Sequence, residues 1–166
     1  KVLEQKILEP YLRDRSYLFR IRMPFGPDKK DKNLLTKLQK YAKLVDNRNS
    51  VTNVEEFARC VLHFVETRPE PGIYNAVNTG SVTTQDIVEI FGWNKEFMTN
   101  EEFKSITVAP RSNCTLNTDK MESVFNFKTA QEISGVINGF DGGFSPTFNE
   151  NSKLMGLQPA YYLYLR

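Results

Sequence analysis

The chain has 166 residues, 40% hydrophobic and 12% aromatic, which is enough apolar material to bury a core and argues against a disordered protein. With 22 basic and 20 acidic side chains its net charge is +2, so charge gives no reason to expect nucleic acid or an anionic membrane as partner. Two cysteines without metal-type spacing exclude a disulfide scaffold and a zinc site and favour the reducing cytoplasm, and no apolar run approaches the ~20 residues of a membrane span.

The first segment predicts a helix followed by a strand. Residues 2–12 place apolar side chains on one side of a helix that ends near Pro10. The apolar segment 17–23 predicts a strand, and Met23-Pro-Phe-Gly-Pro27 ends it. Because the chain begins inside a helix and without methionine, we expect more protein upstream.

Two longer helical patterns follow. An apolar stripe predicts a helix over 33–45. Asn53 and Glu56 then resemble a capping box, in which the amide accepts from the first turn and the carboxylate returns to the backbone N–H of the cap. The helix that they begin runs to about Glu66. Its predicted apolar face consists of Val54, Phe57, Ala58, Val61, Leu62 and Val65.

The remaining elements are shorter. Residues 73–78 predict a buried strand, Thr83 with Asp86 caps a helix through Phe91, and residues 99–102 open another. A brief strand is expected at 107–109 and a helix at 118–125. His63 is interpreted as a packed or partly exposed helical histidine, and Trp93 is expected to seal a small core together with Phe91 and Phe97. The alternation of strands and helices predicts an α/β fold.

The segment 17–27 carries a family resemblance. The order of a lysine, an amphipathic helix and a strand ending in Arg-Met-Pro-Phe-Gly resembles the extended short-chain dehydrogenase/reductases, in which this strand end meets the nicotinamide. The resemblance implies an α/β chain that forms the C-terminal half of a Rossmann-type enzyme, with parallel strands and a small mixed α/β substrate-binding lobe. A glycine-rich turn for the cofactor pyrophosphate is not among these residues, so the N-terminal cofactor-binding half would lie outside this chain.

Three further segments strengthen the resemblance, namely 49–58, 72–80 and 108–117. The third, containing Ala-Pro-Arg-Ser-Asn, is similar to plant-type epimerase/reductases of rhamnose synthesis and, more loosely, to dTDP-4-dehydrorhamnose reductases. Residues 1–128 therefore form the part that resembles the family. Residues 129–166, rich in glycine and aromatic side chains, have no assignment.

The resemblance implies roles for particular residues. Lys1 would be the lysine that lowers the pKa of an upstream catalytic tyrosine, since a phenol needs a nearby cation to act as a base near neutrality. Lys1 with Met23, Pro24 and Phe25 would contact NADP or NAD. Arg111, Asn113 and Thr52 would contact the substrate, with Arg111 on its diphosphate. Read without the resemblance, Lys1 is an ordinary helical residue and Arg111 a surface arginine in a loop. No metal site is expected.

Two functional hypotheses follow. The first is a cytoplasmic nucleotide-sugar oxidoreductase that reduces a 4-keto-6-deoxy sugar nucleotide with NAD(P)H, with or without epimerisation, in rhamnose-type synthesis. The second is a catalytically inactive structural or assembly subunit of the same fold, whose aromatic tail docks a partner. A sugar-nucleotide-binding module that folds alone is disfavoured, because parallel strands are seldom left uncovered. The expected partners are a nucleotide sugar and either the missing half or another protein, and the family resemblance allows a homodimer.

Overall fold

The computed structural model describes residues 15–107 and 113–132, together with residues 6, 7, 10, 164 and 165. Its elements in chain order are β1 Tyr17–Arg20, β2 Pro24–Phe25, α1 Leu34–Lys40, β3 Lys43–Val45, β4 Thr52–Asn53, α2 Val54–Thr67, β5 Gly72–Asn75, α3 Thr84–Ile90, β6 Glu96–Met98, α4 Asn100–Ile106, α5 Asp119–Glu122 and β7 Tyr164–Leu165.

Three small sheets organise these elements. β1 pairs in parallel with β5 and antiparallel with β7, and β2 pairs in parallel with β4. β3 pairs in parallel with β6. Parallel strands joined through helices make the described part an α/β structure, as the sequence predicts.

Two buried clusters hold the described part together. One lies around β1, α2, β5 and α5 and includes Phe19, Phe64 and Tyr74, whose rings meet edge to face or tilted at 4.8–6.4 Å. The other lies around β2, α1, β3 and α3 and includes Phe25 and Leu35. The segment between β1 and β2 therefore connects the two clusters.

The helix predicted over 33–45 is too long. It ends at Lys40, because the Tyr41 backbone is extended (φ −75°, ψ 133°) while its N–H still bonds to Lys37 O. The Nζ of Lys95 donates to the carbonyls of Gln39 and Tyr41, at 2.6 and 2.9 Å. Residues 43–45 then pair with β6, a long-range partner that the helical stripe does not reveal.

Other boundaries also differ from the predictions. β1 ends at Arg20 rather than at residue 23, and β5 covers Gly72–Asn75 rather than 73–78. α5 is a single turn, Asp119–Glu122, rather than a helix to residue 125. The predicted strand at 107–109 lies mostly outside the described residues.

The predicted apolar face of α2 is buried only in part, with Phe57 and Val61 packed against the cluster around β1. Glu56, Cys60 and Phe64 are buried, whereas Val54, Leu62 and Val65 are 43%, 61% and 52% exposed. The apolar side chains cover a wide arc of the helix surface and the core contacts one edge of it, so periodicity alone did not select the buried residues.

The aromatic side chains after α3 are placed largely as expected. The rings of Phe91 and Trp93 stack at 4.7 Å and pack on the cluster around β2, whereas Phe97 is 39% exposed.

The ring of His63 is partly buried and lies 5.6 Å from that of Phe125, so the interpretation as a packed histidine is confirmed. Within the described residues no helix is long and apolar enough to cross a membrane.

Candidate functional site

The candidate site lies beyond the carboxyl ends of the parallel strands β1 and β5. The two strands end together, with Arg20 opposite Asn75, and the N–H of Ala76 donates to Arg20 O at 2.9 Å. In α/β sheets, ligands bind in the crevice outside such strand ends. Functional side chains are therefore expected on the segments that follow β1 and β5 in the chain.

The segment after β1 makes a left-handed turn at Met23. Met23 has φ 42°, which side chains other than glycine and asparagine seldom adopt. After this turn β2 pairs with β4, Pro24 opposite Thr52 and Phe25 opposite Asn53. Four residues selected from the sequence, Met23, Pro24, Phe25 and Thr52, thus lie next to one another.

Thr52 is fully buried and joins three segments of the chain. Its hydroxyl accepts from the backbone N–H of Arg22 at 3.1 Å and donates to Ala76 O at 2.9 Å. This hydroxyl fixes the start of the Met23 turn relative to the end of β5. Its hydrogen-bonding capacity is largely used within the protein.

A buried polar network lies beside Thr52. The Asn78 side chain accepts from the backbone N–H of Asn53 at 2.8 Å and donates to the Glu56 carboxylate at 2.7 Å and to Lys128 O at 3.1 Å. Glu56 is 6% exposed and also lies 3.5 Å from the Arg59 guanidinium. The network joins the start of α2 to the segment that follows β5.

The network changes the predicted cap of α2. The Asn53 side chain accepts from the backbone N–H groups of Glu55 and Glu56, as the capping pattern predicts. The prediction that the Glu56 carboxylate returns to the Asn53 N–H is wrong, because Asn78 accepts from that N–H and also donates to the carboxylate. By contrast, complete capping boxes are present at Thr83 with Asp86 and at Thr99 with Glu102.

Asn113 lies on the neighbouring segment. Asn49 forms bridges with Val82 on one side and Cys114 on the other. The Asn113 side-chain oxygen accepts from the backbone N–H of Arg48 at 2.9 Å. The segment containing Asn113 is therefore attached along residues 48–50, shortly before Thr52 in the chain. Lys1 and Arg111 lie outside the described residues.

Arg22 was not among the residues selected from the sequence. Its guanidinium Nη2 donates to the side-chain oxygen of Asn49 at 2.7 Å, while its Nε is buried without a hydrogen-bond partner among the described residues. The residue is partly buried and directly precedes Met23. An arginine in the last positions before a turn at a strand end was the signal available in the sequence.

The described site is suited to binding and orienting ligands. Arg22 supplies a positive charge, Asn49 and Asn113 supply amides, and the partly buried Met23 and Pro24 supply apolar surface. Nowhere in the described residues do three or more His, Cys, Asp or Glu side chains form a group that could hold a metal ion.

The fold defines the chain as part of a Rossmann-type α/β protein, and the candidate site begins where β1 ends. No protein-family model matches the chain. A bifunctional dTDP-4-dehydrorhamnose 3,5-epimerase/dTDP-4-dehydrorhamnose reductase of Arabidopsis thaliana is 34% identical in an alignment of 134 positions, which covers 75% of this chain and 43% of that protein. A trifunctional UDP-glucose 4,6-dehydratase/UDP-4-keto-6-deoxy-D-glucose 3,5-epimerase/UDP-4-keto-L-rhamnose-reductase of the same plant is 32% identical over 75% of this chain and 19% of its own length.

Solved structures of the same kind share the fold. The L780 UDP-rhamnose synthase of Acanthamoeba polyphaga mimivirus superposes with a TM-score of 0.72 and 22% identity, covering 83% of this chain and 49% of that one. Similar structures include complexes with NADP, NAD+ and NADPH. The chain is thus homologous to the extended short-chain dehydrogenase/reductases of rhamnose synthesis, and it spans less than half the length of these relatives.

Proposed function

We propose that this chain is the C-terminal, substrate-binding part of a nucleotide-sugar reductase. The reaction is NAD(P)H-dependent reduction of a 4-keto-6-deoxy sugar nucleotide, with or without epimerisation, in rhamnose-type sugar synthesis. The observation that carries the proposal is the meeting of the Met23 turn, β2 and Thr52 at the carboxyl ends of β1 and β5. The 34% identity to an epimerase/reductase supports it.

The residues around the turn have distinct roles in this proposal. The cofactor supplies the hydride when it is bound. Met23, Pro24 and Phe25 hold its nicotinamide ring against the end of β1, and Phe25 is buried, which keeps the turn rigid. Lys1 stabilises the phenolate form of a tyrosine that belongs to the upstream part of the protein. None of these residues needs a metal ion.

Substrate contacts come from the opposite side of the turn. Asn113 is attached next to Asn49, so the segment containing it faces the same strand end as Thr52. Arg111, two residues earlier in the chain, holds the diphosphate by paired hydrogen bonds from its guanidinium. Thr52 acts by positioning, since its hydroxyl already bonds to two backbone groups.

The compartment and partners follow from the same proposal. Cys60 and Cys114 are free thiols, which suits the cytoplasm. The protein partner is the N-terminal half that carries the glycine-rich cofactor turn, and a homodimer stays a prediction. The alternative of an inactive assembly subunit has no observation in its favour.

The test is an activity assay on the full-length protein. It would be incubated with UDP-4-keto-6-deoxy-D-glucose, or with the dTDP equivalent, and NADPH or NADH. Loss of reduced-nicotinamide absorbance and formation of a rhamnose nucleotide by mass spectrometry are the expected results. Lys1→Met should abolish turnover, while Lys6→Met, the same substitution at an exposed lysine later in the same segment of the chain, should not. Absence of turnover with every combination would refute the proposed reaction.

A further inference from the structure

We propose that Arg22 binds the diphosphate of the sugar nucleotide, as a second guanidinium besides that of Arg111. This inference rests on the proposed function and assigns a residue that neither the sequence pattern nor the similarity to relatives identified. Arg22 lies between the two ligand regions, since Met23 follows it directly and its side chain reaches Asn49.

In the part of the chain that the structure describes, Arg22 has a neutral side-chain partner. Its described side-chain partner is the neutral amide of Asn49, itself 7% exposed. None of the ion pairs found among the described residues involves Arg22. A partly buried guanidinium with a neutral partner is unfavourable unless something supplies the negative charge.

One hydrogen-bond donor of the same guanidinium has no acceptor within the described ranges. Arg22 Nε is buried without a partner there, although most buried polar groups in proteins are paired. An arginine can hold phosphate oxygens through two parallel N–H groups, and a modest side-chain movement would turn Nε and a terminal nitrogen towards one ligand. A phosphate oxygen of the ligand accepts the hydrogen bond for which Arg22 Nε has no acceptor among the described residues.

The position of Asn49 favours the sugar nucleotide over the dinucleotide cofactor as the source of that phosphate. Asn49 bridges to Cys114, and the neighbouring Arg48 is bonded to Asn113. Arg22 thus points from the nicotinamide turn towards the segment proposed to hold the substrate. The backbone N–H of Arg22 donates to the Thr52 hydroxyl at 3.1 Å, and this bond fixes the backbone from which the Arg22 side chain extends.

The experiment measures UDP and dTDP binding to the full-length protein by calorimetry. Arg22→Met should lower the affinity for UDP or dTDP, whichever the wild type binds more tightly, by about 10- to 100-fold, because one or two charged hydrogen bonds are lost. NADPH binding should be unchanged. Arg22→Lys keeps the positive charge but loses the two parallel N–H donors, so its affinity for the same nucleotide should lie between those of the wild type and Arg22→Met. The control is Arg68→Met, the same substitution at an exposed arginine beyond α2.

Thermal unfolding separates ligand binding from a structural role. Removing a guanidinium that forms no ion pair with the described residues should leave the melting temperature of Arg22→Met unchanged or higher. A lower melting temperature with unchanged UDP and dTDP affinity would overturn the proposal, as would weaker NADPH binding alone or a wild-type protein that binds neither diphosphate.

Asn49→Asp resolves the case in which Arg22→Met weakens both binding and folding. This variant keeps Arg22 and places the new carboxylate beside its guanidinium. The carboxylate would compete with the diphosphate, so the affinity for UDP or dTDP should fall while the melting temperature does not. Unchanged diphosphate binding in Asn49→Asp would overturn the proposal. If diphosphates bind through Arg22 but no keto sugar is reduced, the proposed reaction fails and the role of Arg22 stands.

Discussion

Replacing Asn78 by alanine should strongly destabilise the junction behind the candidate site. Asn78 is 3% exposed and its amide serves three groups: the Asn53 N–H, the Glu56 carboxylate and Lys128 O. Lys128 O keeps the Thr79 N–H as a donor at 3.2 Å, so it is not orphaned. The alanine variant therefore leaves two buried groups with a lost partner.

The magnitude follows from those two groups. A buried polar group without its partner costs about 1–3 kcal/mol, with more for a charged group. The Asn53 N–H and the Glu56 carboxylate are both buried, and Arg59 at 3.5 Å compensates the carboxylate only in part. The sum is about 3 kcal/mol, a large share of the ~5–15 kcal/mol that stabilises a typical domain.

Urea unfolding followed by circular dichroism measures this loss. Asn75→Ala is the matched control. The Asn75 side chain donates one exposed hydrogen bond, to Asn117 O at 2.8 Å, which water can replace, and its Oδ1 is buried without a partner among the described residues, so its removal orphans no buried group. The control should change the free energy of unfolding by less than ~1 kcal/mol. If Asn78→Ala lowers the free energy of unfolding by no more than Asn75→Ala does, the hydrogen bonds of Asn78 do not stabilise the fold to the extent inferred.

Three further predictions concern other parts of the chain. Gly26→Ala should destabilise by about 1 kcal/mol, because a Cβ there would lie 2.7 Å from Val54 Cγ2, and adding Val54→Ala should restore most of that loss in urea unfolding. Burial raises the pKa of the Cys60 thiol to about 12, so at neutral pH iodoacetamide should modify the partly buried Cys114 well before Cys60, and peptide mapping that finds equal labelling would contradict the burial. The backbone N–H of Thr99 holds the pKa of Glu102 below its ordinary value of 4.5, so this carboxylate stabilises the fold above that pH and the contribution disappears as the pH falls through the lowered pKa. Glu102→Gln should accordingly be less stable than wild type at neutral pH but equal to it in strong acid, and a pH-independent difference would refute this assignment.

Much of the local structure was predictable, because it depends on neighbours within one helical turn. Side chains of Asn53, Thr83 and Thr99 bond to N–H groups two or three residues later, a spacing visible in the sequence. The α/β class followed from the alternation of patterns. The roles proposed for Lys1, Arg111 and Asn113 stay predictions.

What the sequence by itself determined is the order of β1, the longer helices and β5, the side-chain caps at Asn53, Thr83 and Thr99, and the candidate turn at Met23. The short strands β2, β3, β4 and β6 were not predicted. The tertiary structure decided the partners across long separations: Glu56 with Asn78, residues 43–45 with β6, and Arg22 with Asn49, 27 positions apart. The physical reason is that a buried carboxylate, a strand edge or a guanidinium takes whichever partner the fold brings near. Periodicity and capping patterns describe only the chain immediately around a residue.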